Sequence, residues 1–232
     1  MNAYIPLLAI SDGLIFLLLV GGFLSIGGLL FFIAHKQAKK RSAAFAQIAA
    51  SLDMRFSEKS DGPIGLGLGG MSFFKKGRSK KITNLMRGAF ADVDCLVFDY
   101  RFTTGSGKSS HTHNQTVVAF DIVGSKLPEF SSKPEHFFHK FANMLGFEDI
   151  NFEEYPKFSK KYRLNGEDET SVRSIFNREV IELLENQTDK PWSVDGKDNW
   201  LVIYHPDKRV KPEDCSQFLL DATTLLNAMT LT

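Results

Sequence analysis

The 232-residue chain has little of what usually carries catalysis or metal binding. Its only cysteines, Cys95 and Cys215, lie far apart and form no CxxC pair or other metal-ligand spacing. The nucleophile motif GxSxG and the zinc-protease motif HExxH are both missing. These absences argue against the common hydrolase and zinc-site classes. We expect both cysteines to be reduced residues of a hydrophobic core and expect no cofactor.

Charge is missing from one long stretch, Leu14 to Ala34, which is apolar on every side. At a rise of about 1.5 Å per residue this stretch reaches roughly 30 Å, the thickness of the hydrocarbon core of a bilayer. A buried helix of a soluble protein would normally keep a polar stripe. The sequence therefore predicts a transmembrane helix over residues 14–34.

Positive charge is missing before this stretch and abundant after it, at Lys36, Lys39, Lys40 and Arg41. A cleaved signal peptide has the opposite arrangement, with its charge in front. Because basic flanks stay on the cytoplasmic side, the pattern predicts a short extracytoplasmic N-terminus over residues 1–13 and a cytosolic C-terminal part. We expect a single-pass protein of the bacterial inner membrane.

The part of the chain after the span is rich in aromatic residues, and the whole sequence contains 21 phenylalanines. This composition excludes a disordered tail. Apolar residues at helical spacing predict a juxtamembrane helix within residues 35–53. Residues 54–232 suit one cytosolic domain. Within it, strands followed by a helix occur twice, ending near Phe147 and Met229, which suggests two similar halves.

The charge of this cytosolic part is uneven. Residues 35–110 hold 14 Lys and Arg against 6 Asp and Glu, whereas residues 111–232 hold 14 against 20. The basic half therefore lies next to the predicted membrane span, where anionic lipid attracts cations.

Two aromatic residues stand beside five cations in a segment that we call the Phe73–Lys81 segment: Phe73, Phe74, Lys75, Lys76, Arg78, Lys80 and Lys81. This composition suits contact with a membrane surface, with the rings inserted and the cations on anionic headgroups. A nucleic-acid contact or an ordinary solvated loop are the alternatives, and we expect no nucleic-acid partner. The segment is the predicted membrane-surface site.

Alternation of apolar residues predicts strands over 94–102 and 115–123, which we expect to pair as a hairpin. Further strands are expected over 155–164 and 199–205. Helical segments are predicted over 134–146, over 170–186 as two consecutive helices, and over 212–229. Ser132 and Glu135 are expected to form a capping box for the first. The fold class is therefore α+β, with helices packed on an antiparallel sheet.

Two glycine-rich stretches imitate nucleotide sites. Gly105 to Ser109 reads GSGKS, but the first P-loop glycine is replaced by Phe102 and a strand follows where a helix is needed. Gly65, Gly67 and Gly70 match GxGxxG without the preceding strand that a dinucleotide site requires. The first stretch is predicted to be a hairpin tip and the second a mobile connection.

Other polar groups give weaker signals. His111 and His113 share one side of a strand, and His136 and His139 lie at helical spacing, but convergence of metal ligands is not visible in a sequence. We interpret both pairs as exposed or hydrogen-bonded histidines.

Four carboxylates, Asp92, Asp94, Asp99 and Asp121, lie on or near neighbouring predicted strands, and Asp99 and Asp121 could face each other across the hairpin. Solvated strand faces explain them more simply than catalysis.

Three stretches carry a resemblance: 84–88 (NLMRG), 98–103 (FDYRFT) and 162–176 (YRLNGEDETSVRSIF). Through them the chain resembles an uncharacterised class of bacterial single-pass membrane proteins with one cytosolic domain. The resemblance implies the topology and no activity. We therefore expect a membrane-anchored interaction or lipid-surface-sensing domain with an unknown protein partner; a membrane-tethered enzyme using the carboxylates is the alternative. Gly21, Ser25 and Gly28 share a helix face that suits a homodimer, although glycine is also common in membrane helices.

Overall fold

A computed structural model describes residues 12–138, 148–187 and 189–230. The chain forms two compact units, Met1–Ala43 and Ala44–Thr232. The first unit contains most of helix α1, which runs from Asp12 to Ser51. Among the described residues, α1 is the one helix long and apolar enough to span a membrane, and its most apolar window is not buried by any part of the protein.

Residues 44–51 of helix α1 belong to the second unit. Its last turns bury Phe45 and Ala49 completely in the core of that unit. The helix ends because Asp53 adopts a left-handed conformation (φ 54°), which lets the N–H of Met54 donate to the carbonyl of Ala49 at 2.8 Å.

The second unit is built on one antiparallel sheet of eight strands in the order β1-β2-β3-β4-β8-β7-β5-β6. The strands are β1 (Arg55–Lys59), β2 (Arg78–Phe90), β3 (Val93–Thr104), β4 (His111–Asp121), β5 (Leu127–Pro134), β6 (Tyr162–Gly166), β7 (Ser193–Asp198) and β8 (Trp200–Tyr204). With the helices described below, this confirms the predicted α+β fold.

The remaining helices of the described chain are short, apart from the last. They are α2 (Ser72–Lys75), α3 (Glu135–Phe138), α4 (Pro156–Lys161), α5 (Glu169–Ile175), α6 (Arg178–Asn186) and α7 (Cys215–Thr230). Helix α7 follows a 3-10 turn at Pro212–Asp214, so the helix predicted over 212–229 is confirmed almost to the residue. Residues 139–146 of the helix predicted over 134–146 lie outside the described chain.

The central hairpin confirms the predicted pairing. Strands β3 and β4 pair in register from Asp94 with Asp121 to Thr104 with His111, and the GSGKS stretch forms their connection. The alternating side chains Leu96, Phe98, Tyr100 and Phe102 all reach one core, as the period-two pattern requires.

Each face of the sheet carries its own hydrophobic core. One face packs against α4 to α7 and the end of α1, and buries both cysteines as free thiols. The other face is covered by the chain between β1 and β2, which contributes Leu66, Leu68 and the two phenylalanines of α2. The glycine-rich stretch is therefore packed on the sheet, contrary to the mobile connection that we expected.

Two predicted features are wrong. The strand expected over 155–164 begins with helix α4, because Pro156 opens a helical turn whose Phe158 is fully buried. Ser132 does not cap a helix but lies buried within β5. The two consecutive helices expected over 170–186 are present as α5 and α6, and Asn177 separates them by capping α6, where it accepts from the N–H of Val180 at 3.1 Å.

Candidate functional site: an aromatic cleft with a cationic rim

The structure contradicts one part of the predicted membrane-surface site. Phe73 and Phe74 are 1% and 2% exposed, so neither ring can enter a bilayer while this fold is intact. Helix α2 directs both rings onto the sheet, where Phe73 stacks on Tyr204 at 4.4 Å and Phe74 meets Tyr100 at 5.1 Å between centroids. The prediction rested on composition, and two phenylalanines beside lysines have the same composition whether the rings face the core or the solvent.

Polar contacts hold helix α2 in this position. Ser72 donates through its backbone N–H and its hydroxyl to the carboxylate of Glu129 on β5. The ammonium of the buried Lys133 lies 5.2 Å from the centre of the Phe73 ring and donates to Asp195 at 2.9 Å. It also donates to the hydroxyl of Tyr204 at 2.6 Å. Burial lowers the pKa of Lys133, and Asp195 opposes that shift.

The cations of the Phe73–Lys81 segment remain available to solvent. Lys75, Arg78, Lys80 and Lys81 are exposed, and Lys76 is half-buried, with its pKa lowered by burial and by the nearby Lys133. Two of them brace the local structure. Lys80 donates to the carbonyl of Lys75 at 2.7 Å, and Arg78 donates to the carbonyl of Gly105 and the hydroxyl of Ser110. Contact of these cations with a membrane stays a prediction.

The four carboxylates considered for catalysis do not come together. Asp99 is buried on the helix-covered face, where it accepts from Asn84 and Thr116 at 2.8 Å each. Its partner across the hairpin is Thr116, so the expected pairing of Asp99 with Asp121 is wrong. Asp94 pairs with Asp121 instead, and Asp92 lies in the exposed turn before β3.

A cavity of about 420 Å³ lies near the C-terminal end of strand β8, where the chain leads into α7. The described residues that line it combine aromatic, cationic and acidic side chains: Gln187, Lys190, Trp192, His205, Lys208, Arg209, Val210, Lys211, Asp214, Gln217, Phe218 and Asp221. We call this cavity the aromatic cleft.

Three rings form the floor of the aromatic cleft. Trp192 precedes β7, His205 follows β8 and Phe218 lies on α7. Trp192 stacks on His205 with centroids 3.8 Å apart and lies 5.3 Å from Phe218. Burial lowers the pKa of His205 to about 4, with smaller contributions in the same direction from Lys190 and Lys208. The floor is therefore uncharged near neutral pH.

Four cations stand around this neutral floor, opposed by two carboxylates, Asp214 in the 3-10 turn before α7 and Asp221 on α7. Lys190, Lys208, Arg209 and Lys211 are all exposed, and in the described parts of the chain none of them has a carboxylate within 4.0 Å. The rim thus has an excess of unpaired positive charge. Such an arrangement can bind a ligand that has an apolar group and negative charge.

The segment that carries most of these cations is fixed to strand β4. The N–H of Thr116 donates to the carbonyl of Lys208 at 3.1 Å, and the Thr116 hydroxyl accepts from the N–H of Val210 at 2.9 Å. The Gln115 side chain accepts from the N–H of Asp207 at 3.2 Å. The rim is therefore positioned before any ligand arrives, which reduces the entropy lost on binding.

Sequence reasoning missed the aromatic cleft. The run KRVK at 208–211 was a visible basic signal, but its length is ordinary for a solvated loop. The floor is assembled from three elements that are distant along the chain, and nothing in the local sequence indicates that they meet.

Comparison with known proteins identifies the fold and no family. No protein-family model matches the sequence, and no curated protein matches it significantly. Among solved structures, the chain is similar to a mycobacterial trehalose monomycolate transport factor, TtfA, with a TM-score of 0.55 and 10% sequence identity. The match covers 81% of this chain and 95% of that protein. At this identity the likeness concerns the fold alone.

Proposed function

We propose that this chain is a membrane-anchored binding protein whose cytosolic domain captures an acidic, partly apolar segment of a partner protein in the aromatic cleft. The observation that carries the proposal is the combination of a neutral aromatic floor with a rim of four exposed cations. Helix α1 would supply the anchor. The protein would act by bringing its partner to the membrane.

The chemistry of the cleft defines the segment that it would bind. A cavity of about 420 Å³ accommodates one or two large apolar side chains against Trp192, His205 and Phe218. Aromatic anchors of this kind contribute most of the affinity of many protein interfaces. Carboxylates beside the apolar anchor would pair with Lys208, Arg209 and Lys211. Asp214 and Asp221 would repel segments with too much negative charge near α7, which contributes to specificity.

The likeness to TtfA favours a role in moving membrane lipids. That protein is named as a transport factor for trehalose monomycolate, and a transport factor need not catalyse a reaction. By analogy, this chain would recruit or position a component of a lipid transport system. This step rests on fold analogy, so the partner must be identified by experiment.

Site-specific photo-crosslinking in cells of the native host tests the proposal. A photoreactive amino acid at Gln217, which lines the cleft, should give one discrete protein adduct. Exchange of Lys208 and Arg209 to glutamate should abolish this adduct, because it reverses the charge of the rim. The matched control exchanges Lys75 and Lys80, two exposed lysines outside the cleft, and should leave the adduct intact. Adduct formation that is equal in all three proteins would overturn the proposal.

A second contact is proposed for the exposed cations of the Phe73–Lys81 segment, on anionic lipid headgroups. With the rings buried, attraction reduces to the cations, at about 1 kcal/mol each before screening. A fluorophore on Ser79→Cys in full-length protein in nanodiscs should be quenched by spin-labelled lipid when the lipid is anionic. Quenching should vanish in neutral lipid, at high salt, and when Lys75, Lys80 and Lys81 become glutamate. Quenching that ignores lipid charge would exclude this contact.

The orientation remains part of the proposal. The cluster from Lys36 to Arg41 favours a cytosolic C-terminal domain. An alkaline-phosphatase reporter fused after Thr232 should be inactive in a bacterial host, since that enzyme needs the periplasm to form its disulfides. Strong phosphatase activity would reverse the topology and remove the cytosolic partner.

A further inference from the structure

Three polar side chains converge at the tip of the central hairpin, outside the aromatic cleft. His111 and His113 lie two residues apart on β4 and so project from the same face of that strand. Asp207, in the turn after β8, reaches both of them. Its carboxylate lies 2.6 Å from Nδ1 of His113 and 3.5 Å from Nε2 of His111. One nitrogen from each histidine and one carboxylate oxygen all lie within 4.8 Å of one another.

The surroundings hold these groups in place. The Nε2 atom of His113 lies 2.9 Å from the hydroxyl of Thr104, and its ring stacks on Phe102 with centroids 4.7 Å apart. Asp207 adopts a left-handed conformation (φ 58°), and its N–H is bound by Gln115. In metal sites, a ligating histidine typically uses one ring nitrogen for the metal and binds an oxygen through the other. His113 has this arrangement, with Thr104 as the orienting oxygen.

We propose that His111, His113 and Asp207 form a binding site for a divalent transition metal ion, with zinc as the best fit. Two imidazole nitrogens and one carboxylate oxygen suit zinc, whereas calcium and magnesium prefer oxygen ligands alone. The His111 side chain is 51% exposed, so water can reach the metal and complete its coordination. Three protein ligands with a water position is a common arrangement of accessible zinc sites.

Metal binding requires only a small rearrangement. Ligand atoms that share one zinc ion at about 2.0–2.2 Å stand more than 3 Å apart, so the Asp207 carboxylate must withdraw slightly from His113. His113 would bind the metal through Nδ1 as the tautomer that is protonated at Nε2 and donates to the Thr104 hydroxyl, so a proton on Nδ1 is exchanged through solvent to Nε2 and the metal takes its place beside Asp207.

The test uses the full-length chain in detergent micelles, without a histidine tag. Isothermal titration with zinc should show one ion bound per chain, and cobalt should give the intense visible absorption of a low-coordinate site. His111→Ala and Asp207→Asn should each weaken zinc binding at least about tenfold. Thr104→Val should weaken it by about 10–100-fold through loss of the orienting contact. His136→Ala, which removes an exposed histidine outside the cluster, should bind zinc as the unaltered chain does.

Two results would overturn the proposal. Zinc binding that is unchanged in His111→Ala and Asp207→Asn would place the ion elsewhere. An absence of zinc binding by a folded protein would mean that the His113–Asp207 contact is a structural hydrogen bond only. His111 and Asp207 are chosen because both are partly exposed, so their exchange should preserve the fold. Far-ultraviolet circular dichroism of each variant verifies this.

Discussion

The Phe73–Lys81 segment and the aromatic cleft both place aromatic rings beside clustered cations, yet the protein uses the two differently. In the first, one turn of helix buries both rings under the sheet and the cations follow on an exposed strand. In the second, rings from three elements form the floor of a cavity and cations from two loops surround it. The comparison teaches that a binding surface depends on the direction in which each element points its side chains.

The largest expected effect is on the stability of the first region. Phe73→Ala should lower the free energy of unfolding by about 3–5 kcal/mol, because it leaves a cavity among Tyr100, Phe102 and Tyr204. Chemical denaturation of the full-length chain in micelles measures this loss. Lys75→Ala, next to it but exposed, should change stability by less than about 0.5 kcal/mol. Equal small effects would mean that Phe73 is not buried.

Loss of the buried ammonium of Lys133, which lies beside the Phe73 ring, should lower the free energy of unfolding nearly as much. Lys133→Met should cost about 3–5 kcal/mol, since it leaves Asp195 buried without its cation. Replacing both residues, as Lys133→Met with Asp195→Leu, should recover most of that stability, because no unpaired charge remains. Denaturation of the single and double variants gives the coupling between them. A double variant no more stable than the single one would refute the pairing.

His205, in the floor of the aromatic cleft, should instead affect the pH dependence of the free energy of unfolding. Since the folded pKa of His205 is about 4 and an unfolded histidine titrates near 6.5, the unfolded chain takes up the proton first. The stability that His205 contributes is complete above the unfolded pKa and is lost as pH falls towards 4. Between pH 7 and 4.5 we expect a loss of roughly 2 kcal/mol. His205→Phe should flatten this part of the curve, and an unchanged slope would assign it to other groups.

The smallest expected effects come from removing a single exposed cation from either region. Lys80→Ala and Lys208→Ala remove one exposed cation from each region, and each should change the free energy of unfolding by less than about 0.5 kcal/mol. Only Lys208→Ala should weaken the crosslink formed from Gln217. A weaker crosslink in Lys80→Ala as well would mean that both regions contact one partner.

Several features of the fold could be predicted because they follow from local patterns. Alternation along 94–102 and 115–123 predicts strands, and the polar residues between them predict the hairpin. Pro156 was the overlooked local signal, since proline can open a helix where a strand was expected. Ser132 followed by Glu135 imitates a capping box, but burial of Ser132 within the sheet prevails over that local preference.

The candidate sites could not be predicted in the same way. Trp192, His205 and Phe218 are brought together by the pairing of β7 with β8 and by the packing of α7. Asp207 meets His111 and His113 because β8 lies beside β4, a neighbour that is distant in sequence. Sequence spacing placed the two histidines on one side of a strand, where we interpreted them as exposed or hydrogen-bonded, and could not show that Asp207 meets them.

By itself the sequence determined the apolar N-terminal helix, the charge that follows it, the central hairpin and the α+β class. These depend on composition and on periods of two or 3.6 residues, which act within one element. Only the tertiary structure decided that Phe73 and Phe74 face the core, that Asp99 pairs with Thr116 while Asp94 pairs with Asp121, and that a cleft opens beside β8. These depend on the order of strands in the sheet, which is set by burial summed over the whole domain.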